Sequence, residues 1–182
     1  MITLALDTAT PWLALALVAP HVTLERTPRV ERDHAARIAL EVRALFEEAG
    51  LEPRADRIAL GVGPGSYTGV RVGASYALGL ATAWNAPVLG LSTLEAIAAQ
   101  RDGVMAASLD ARKGNVYGGV YRVEEGLVRE VLLEEAKYDA LEFDRLAAEL
   151  GARPARDLPP SALALAQMAP ERGLSAWALR YL

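Results

Sequence analysis

Between residues 65 and 81 every fourth position is glycine or alanine: Gly65, Gly69, Gly73, Ala77 and Ala81. They lie in the stretch GVGPGSYTGVRVGASYALGLATAW, residues 61–84, which has no proline after Pro64. An apolar strand (Ile58, Ala59, Leu60, Val62) leads into it. Gly63-Pro64-Gly65 has the residues of a tight turn, and Ser66 is a natural N-cap for the helix that follows. Glycine inside a helix costs about 0.5–1 kcal/mol against alanine, so a bare stripe implies close backbone approach. At ~100° per residue the polar side chains Arg71, Ser75 and Thr82 fall within roughly 40° of the circumference. A helix so nearly apolar all round is expected to be covered on two sides, by its own sheet and by a second helix. The bare stripe is accordingly predicted to receive another subunit's helix. In that interface Gly69 and Gly73 make backbone contact, Ala77 continues the stripe, and Val72, Tyr76 and Leu80 flank it as apolar anchors. Arg71 pairs with a carboxylate across it or reaches solvent. The alternative is that the stripe faces the chain's own sheet.

Read in order, the chain predicts strands at 2–6, 12–18 and 21–27, then a helix from His34 to Ala49 capped by Asp33 and stopped by Gly50. A strand at 57–62, the glycine-rich helix, a strand at 87–91 and a short helix to Gln100 follow. From Val104 the pattern starts again: strands at 104–109, 115–123 and 127–133, then a helix at 138–150. Strand, Asp-containing turn, strand, turn, strand, helix thus occurs twice, an internal repeat of pattern. Two units are expected, 1–100 and 101–182. Beyond Gly151, Pro154, Pro159 and Pro160 predict a loop, Ser161–Met168 a short helix, and Leu174–Leu182 an apolar tail docked on the body.

The chemistry open to the chain is limited. It has no cysteine and two histidines, His21 and His34, which exclude thiol catalysis and thiolate metal sites and leave little for a metal centre. Net charge is −4 over 182 residues, with only Lys113 and Lys137 as lysines, so unaided nucleic-acid binding is not expected. No apolar run reaches the ~18 residues of a membrane span. The opening segment lacks a basic region, so a cytoplasmic protein is expected. Two aspartate turns, Asp7-Thr8 and Asp110-Ala111, could orient a metal-bound nucleotide between duplicated units, or could simply be hairpin turns. Gly63, Gly65 and Ser66 before a helix could offer amides to an anion, but the run is neither a Walker loop nor G-x-G-x-x-G. His34 at a helix start is read as structural. The candidate nucleotide set is therefore Asp7, Thr8, Gly63, Gly65, Ser66 and Asp110.

The segment Gly61 to Ala81, centred on GPGSYTGVRVG, resembles the signature of the TsaB (YeaZ) family, accessory proteins of tRNA threonylcarbamoyladenosine synthesis. LALDTAT, the His34 helix, GLSTLEAIA at 90–98 and LDARKGNVYGGVY at 109–121 support it, and together they cover most of residues 1–125. The resemblance implies an α/β fold of the actin/Hsp70-like kind, with two duplicated RNase-H-like lobes, the second shortened here. It implies a non-catalytic partner of the catalytic paralogue TsaD, bound as a heterodimer through helices of the first lobe, with the ATPase TsaE joining and tRNA met only through the complex. No cofactor is expected, ATP or ADP at the complex interface being the option left open. TsaD-like proteins carry a metal-binding His-x-x-x-His that this chain lacks, so catalysis is not carried over. The family's His-Ser is His34-Ala35 here, and its closing Tyr-Leu-Arg is echoed only by Leu179-Arg180 or Tyr181-Leu182. Two competing readings stand beside this one: an ATP-dependent phosphotransferase or ATPase using Asp7, Thr8 and Asp110, and a homodimer built on the bare stripe.

Overall fold

A computed structural model describes residues 1–181. Five strands, β1 (Thr3–Asp7), β2 (Ala14–Ala19), β3 (Val22–Arg26), β4 (Arg57–Gly61) and β5 (Val88–Leu91), form a sheet in the order β3-β2-β1-β4-β5. β1 pairs antiparallel with β2 and parallel with β4. The period of two in these strands sorts side chains by size. Leu4, Leu6, Leu15, Leu17, Ile58 and Leu60 lie in one core cluster, beneath α1 (His34–Ala49) and α2 (Tyr67–Trp84). Ala5, Ala14, Ala16 and Ala59 belong to another, on the side of α3 (Thr93–Ala98) and α5 (Ala162–Arg172). The small residues let α5 lie close across β1 and β2.

A second sheet repeats the first. β6 (Gly103–Asp110), β7 (Asn115–Glu124), β8 (Leu127–Asp139) and β9 (Arg153–Arg156) run in the order β8-β7-β6-β9, with β6 antiparallel to β7 and parallel to β9. This matches β3-β2-β1-β4 strand for strand and is the duplicated RNase-H-like α/β arrangement. Met105, Ala107, Tyr121 and Val123 face the cluster that already holds α3 and α5. On the far face, α4 (Ala140–Glu149) presses Phe143 onto Gly118, where a Cβ would collide with the ring. The layers run α1/α2, first sheet, α3/α5, second sheet, α4.

Local expectations changed in four places. β8 extends to Asp139, so Tyr138 is strand rather than helix. Residues 153–156, predicted as loop because of Pro154, pair with β6 as an edge strand, the one sheet position where proline's missing N–H is tolerated. Asp33 makes no side-chain cap bond to α1, although its neighbour helix behaves as predicted: Ser66 accepts from the Gly69 amide at 3.1 Å. α5 runs on to Arg172, with Pro170 inside it. The predicted tail docks: Leu174 and Gly90 exchange backbone bonds of 2.9 and 3.0 Å, and the Arg180 amide donates to the Val62 carbonyl. Leu182 lies outside the described residues.

The bare stripe corrects the interface prediction. Gly69, Gly73 and Ala77 are buried against the chain's own first strand and its turn. A Cβ on Gly69 would overlap the Thr8 carbonyl oxygen, and one on Gly73 would overlap Thr8 Oγ1 and lie 3.3 Å from Leu6 Cδ1. The four-residue spacing does mark close approach, but to a neighbour within the chain. Gly79, on the opposite side of α2, has open space at its Cβ. Gly73→Leu is therefore expected to lower unfolding free energy by at least about 2 kcal/mol, through overpacking. Gly79→Ala is expected to raise it by about 0.5–1 kcal/mol, because only helix propensity changes there. Urea unfolding of both variants checks the pair.

Candidate functional site

With its stripe turned inward, α2 presents Arg71, Val72, Ser75 and Tyr76 outward beside α1. These four, with Ala35 and Ile38 of α1 and Tyr67 and Thr68 at the start of α2, line a shallow groove of about 580 Å³. Val72 and Tyr76 are half-buried, and Leu80, one turn on, packs on the first core from its edge. Exposed apolar side chains adjoin the groove helices: Leu78 and Tyr67 on α2, Leu40 on α1. Of the predicted interface residues, Arg71, Val72, Tyr76 and Leu80 thus lie toward the outer side, while Gly69, Gly73 and Ala77 do not.

A second concavity, a cleft of about 1070 Å³, opens between the ends of the two sheets. Its walls include the 9–12 turn, Arg29 and Arg32, the start of α2, and Asp110, Arg112 and Asp157. The predicted nucleotide set is divided by it. Gly65, Ser66 and Asp110 line the cleft, and Asp110 is tied down locally, its Oδ1 accepting from the Arg112 amide and its own amide donating to Asp157 Oδ1. Asp7 and Thr8 are fully buried and Gly63 is enclosed behind the loop, with the Arg180 carbonyl 3.0 Å from where its Cβ would be. Those three are corrected from ligand contacts to structural ones. Asp7 Oδ1 accepts from the Ala9 amide at 2.8 Å and Oδ2 from the Thr93 hydroxyl at 2.7 Å, while Thr93 Oγ1 accepts from the Gly63 amide at 3.2 Å. Thr8 Oγ1 donates to the Gly69 carbonyl at 2.6 Å. His34 is likewise structural, buried with Nε2 3.1 Å from the Trp12 carbonyl. Among the described residues no group of three or more His, Cys, Asp or Glu side chains could hold a metal.

Three arrangements had no signal in the sequence. Thr93 links the Asp7 turn to the glycine loop. Glu135 of β8 accepts from the hydroxyls of Ser92 and Tyr121 and pairs with Arg180, joining the second sheet to α3 and to the 174–181 segment. Arg172 forks onto both oxygens of buried Glu95. The links join residues 14 to 86 positions apart in the chain, and only the helix-start residues Ser92 and Thr93 stand out from their neighbours.

The family model for TsaD, tRNA N6-adenosine threonylcarbamoyltransferase, matches residues 25–169. The tRNA threonylcarbamoyladenosine biosynthesis protein TsaB of Bacillus subtilis is 34% identical over 140 residues, covering 74% of this chain and 61% of its own length. The Escherichia coli protein of the same name is 35% identical over 128 residues, 67% of this chain and 55% of its own. The chain thus spans a little over half the length of these relatives. The solved structure of YeaZ from Pseudomonas aeruginosa superposes with a TM-score of 0.81 at 32% identity, over 100% of this chain and 99% of that one. A further structure, described as a protein with similarity to peptidase YeaZ from that organism, gives 0.80 at 31%.

Burial raises the Asp7 carboxyl from its ordinary 3.8 to about 6, against the lowering effects of the Thr93 hydroxyl, the Ala9 amide and the charge of His34. The fold therefore prefers the neutral acid. Its stabilising contribution is complete below about pH 4 and is lost as pH climbs through 6. Asp7→Asn, neutral throughout, is expected to stabilise the protein at pH 7–8 by up to about 3 kcal/mol and to change little at pH 4. Denaturant titrations at the two pH values check the sign.

Proposed function

The chain belongs to the TsaB (YeaZ) family, whose members are named for tRNA threonylcarbamoyladenosine biosynthesis, and we propose on that premise that it is a non-catalytic subunit binding the catalytic paralogue TsaD. The observation that carries this reading is the α1–α2 face. It combines an apolar groove with exposed aromatic and arginine side chains, the composition of an interface hot spot. TsaE joins the pair, and substrate tRNA is met only through the assembled complex, in the cytoplasm. A net charge of −4 without a basic stripe supports the last point: counterion release gives such a chain little affinity for tRNA at physiological salt. Among the described residues no helix is long and apolar enough to cross a membrane.

An enzymatic role has less support. Asp7 and Thr8, needed for the phosphotransferase reading, are enclosed. What favours that second reading is the cleft itself, with Asp110 and the start of α2 on its walls.

Titration calorimetry of the purified chain against TsaD of the same organism tests the docking role. Val72→Asp puts a charge into the groove and is expected to abolish binding, and Tyr76→Ala to weaken it by about 2 kcal/mol. Val72→Asp should leave the melting temperature within a few degrees of the parent's, whereas Tyr76, packed against the first core, should lower it when truncated, so its binding is read well below the transition. Multiple ATP turnovers by the isolated chain, or cleavage of a peptide substrate, would instead assign it an activity of its own.

A further inference from the structure

We propose that Arg71, stacked on the Tyr67 ring and bonded to the Tyr181 hydroxyl, is the charged anchor of the α1–α2 face, and that it pairs with a carboxylate carried on the apolar helix docking there. The inference rests on the docking role proposed above. The Arg71 guanidinium carbon lies 3.7 Å from the centre of the Tyr67 ring and 5.7 Å from that of Tyr181, and the two rings are 5.0 Å apart. Arg71 Nε donates to the Tyr181 hydroxyl at 3.1 Å. Stacking and this one bond fix the plane of the guanidinium, yet no Asp or Glu side chain among the described residues neutralises it.

Tyr181 is brought to Arg71 by a segment whose course is fixed at several points. Leu174 pairs with Gly90, and Trp177 sits over Gly90 so closely that a Cβ there would be 2.5 Å from its own. Trp177 Nε1 donates to the Val88 carbonyl at 3.2 Å. The Arg180 amide donates to the Val62 carbonyl and its guanidinium pairs with Glu135. These are positioning residues: they hold a ring against a guanidinium they do not touch. An arginine already held in place loses little side-chain freedom on binding, and its fork suits a carboxylate. Among the described residues lining the groove Arg71 is the one cation, and beside Val72 and Tyr76 it fits an apolar helix bearing one acid. A polyanion such as RNA would need several phosphate contacts.

The test uses the full chain and TsaD of the same organism, with calorimetry at low and raised salt and a melting temperature for every variant. Arg71→Ala is expected to weaken binding at least about tenfold at low salt and to flatten its salt dependence, as loss of a rim charge does. Arg71→Lys should fall between, and Tyr181→Ala should weaken binding several-fold while keeping the salt dependence; both side chains are exposed, so melting should not move. If Arg71→Ala and Tyr181→Ala bind like the parent while Val72→Asp does not bind, the docking face stands and the anchor is overturned. If Val72→Asp also binds like the parent, or the parent does not bind, both are overturned.

Discussion

The contact between α2 and the end of β1 is the constraint from which the other placements follow. Thr8 is fully buried, its hydroxyl bonded to the Gly69 carbonyl, with backbone on one side and the Gly73 Cα on the other. No side chain fits between them at 69 or 73. The helix therefore lies against the strand at backbone distance, and its rotation about its own axis is fixed by two positions four residues apart. Once that rotation is set, 3.6 residues per turn decide the rest. Val70, Ala74 and Ala77 go into the core, and Arg71, Val72, Ser75 and Tyr76 go out. The outward face is a consequence of the inward one.

The first sheet works by the same economy of volume. Its leucine face carries two long helices, and its alanine face admits α5 and, beyond it, the second sheet. Each buried leucine contributes about 1.5–3 kcal/mol, so the heavier face holds α1 and α2 firmly, whereas the alanine face gains from closeness. That closeness puts α3 and α5 between the sheets and makes one cluster out of residues from both repeats.

Periodicity revealed what is local. The duplicated strand order, the two long helices and the Ser66 cap follow from spacing and turn residues a few positions apart, and the docked 174–181 segment from its apolar composition. The glycine spacing revealed closeness but not the neighbour, because an absent side chain is equally suited to a strand or to a foreign helix. An aspartate at a strand end reads the same whether it faces a ligand or, like Asp7, is sealed by Thr93 from another element. Glu135 sits in an alternating strand among other acids, and nothing nearby marks it as the one that will meet Ser92, Tyr121 and Arg180. Pro154 argued against a strand because its position at a sheet edge depends on β6, nearly fifty residues earlier. Arg71 stands out as a cation on an apolar helix, but the tyrosine hydroxyl that accepts from it lies 110 residues away.

The polar links between the sheets bear on what such a body can do. Glu135 and Glu95 are largely enclosed while their partners Arg180 and Arg172 reach solvent, so removing an arginine strands a carboxylate and destabilises the body, though by less than the loss from a fully buried pair. Swinging the sheets apart would break Glu135 from Ser92 and Arg180 and expose the alanine-lined core around α5. A cleft that works by opening and closing needs the reverse, two bodies with separate cores joined by elements that yield. Here the Glu135 links run across the join, and one of them ends at Arg180, next to Tyr181 at the outward face of α2. The arrangement suits a protein whose product is a surface held in one shape. The same buried groups that resist hinge motion also hold Arg71 where a partner would meet it.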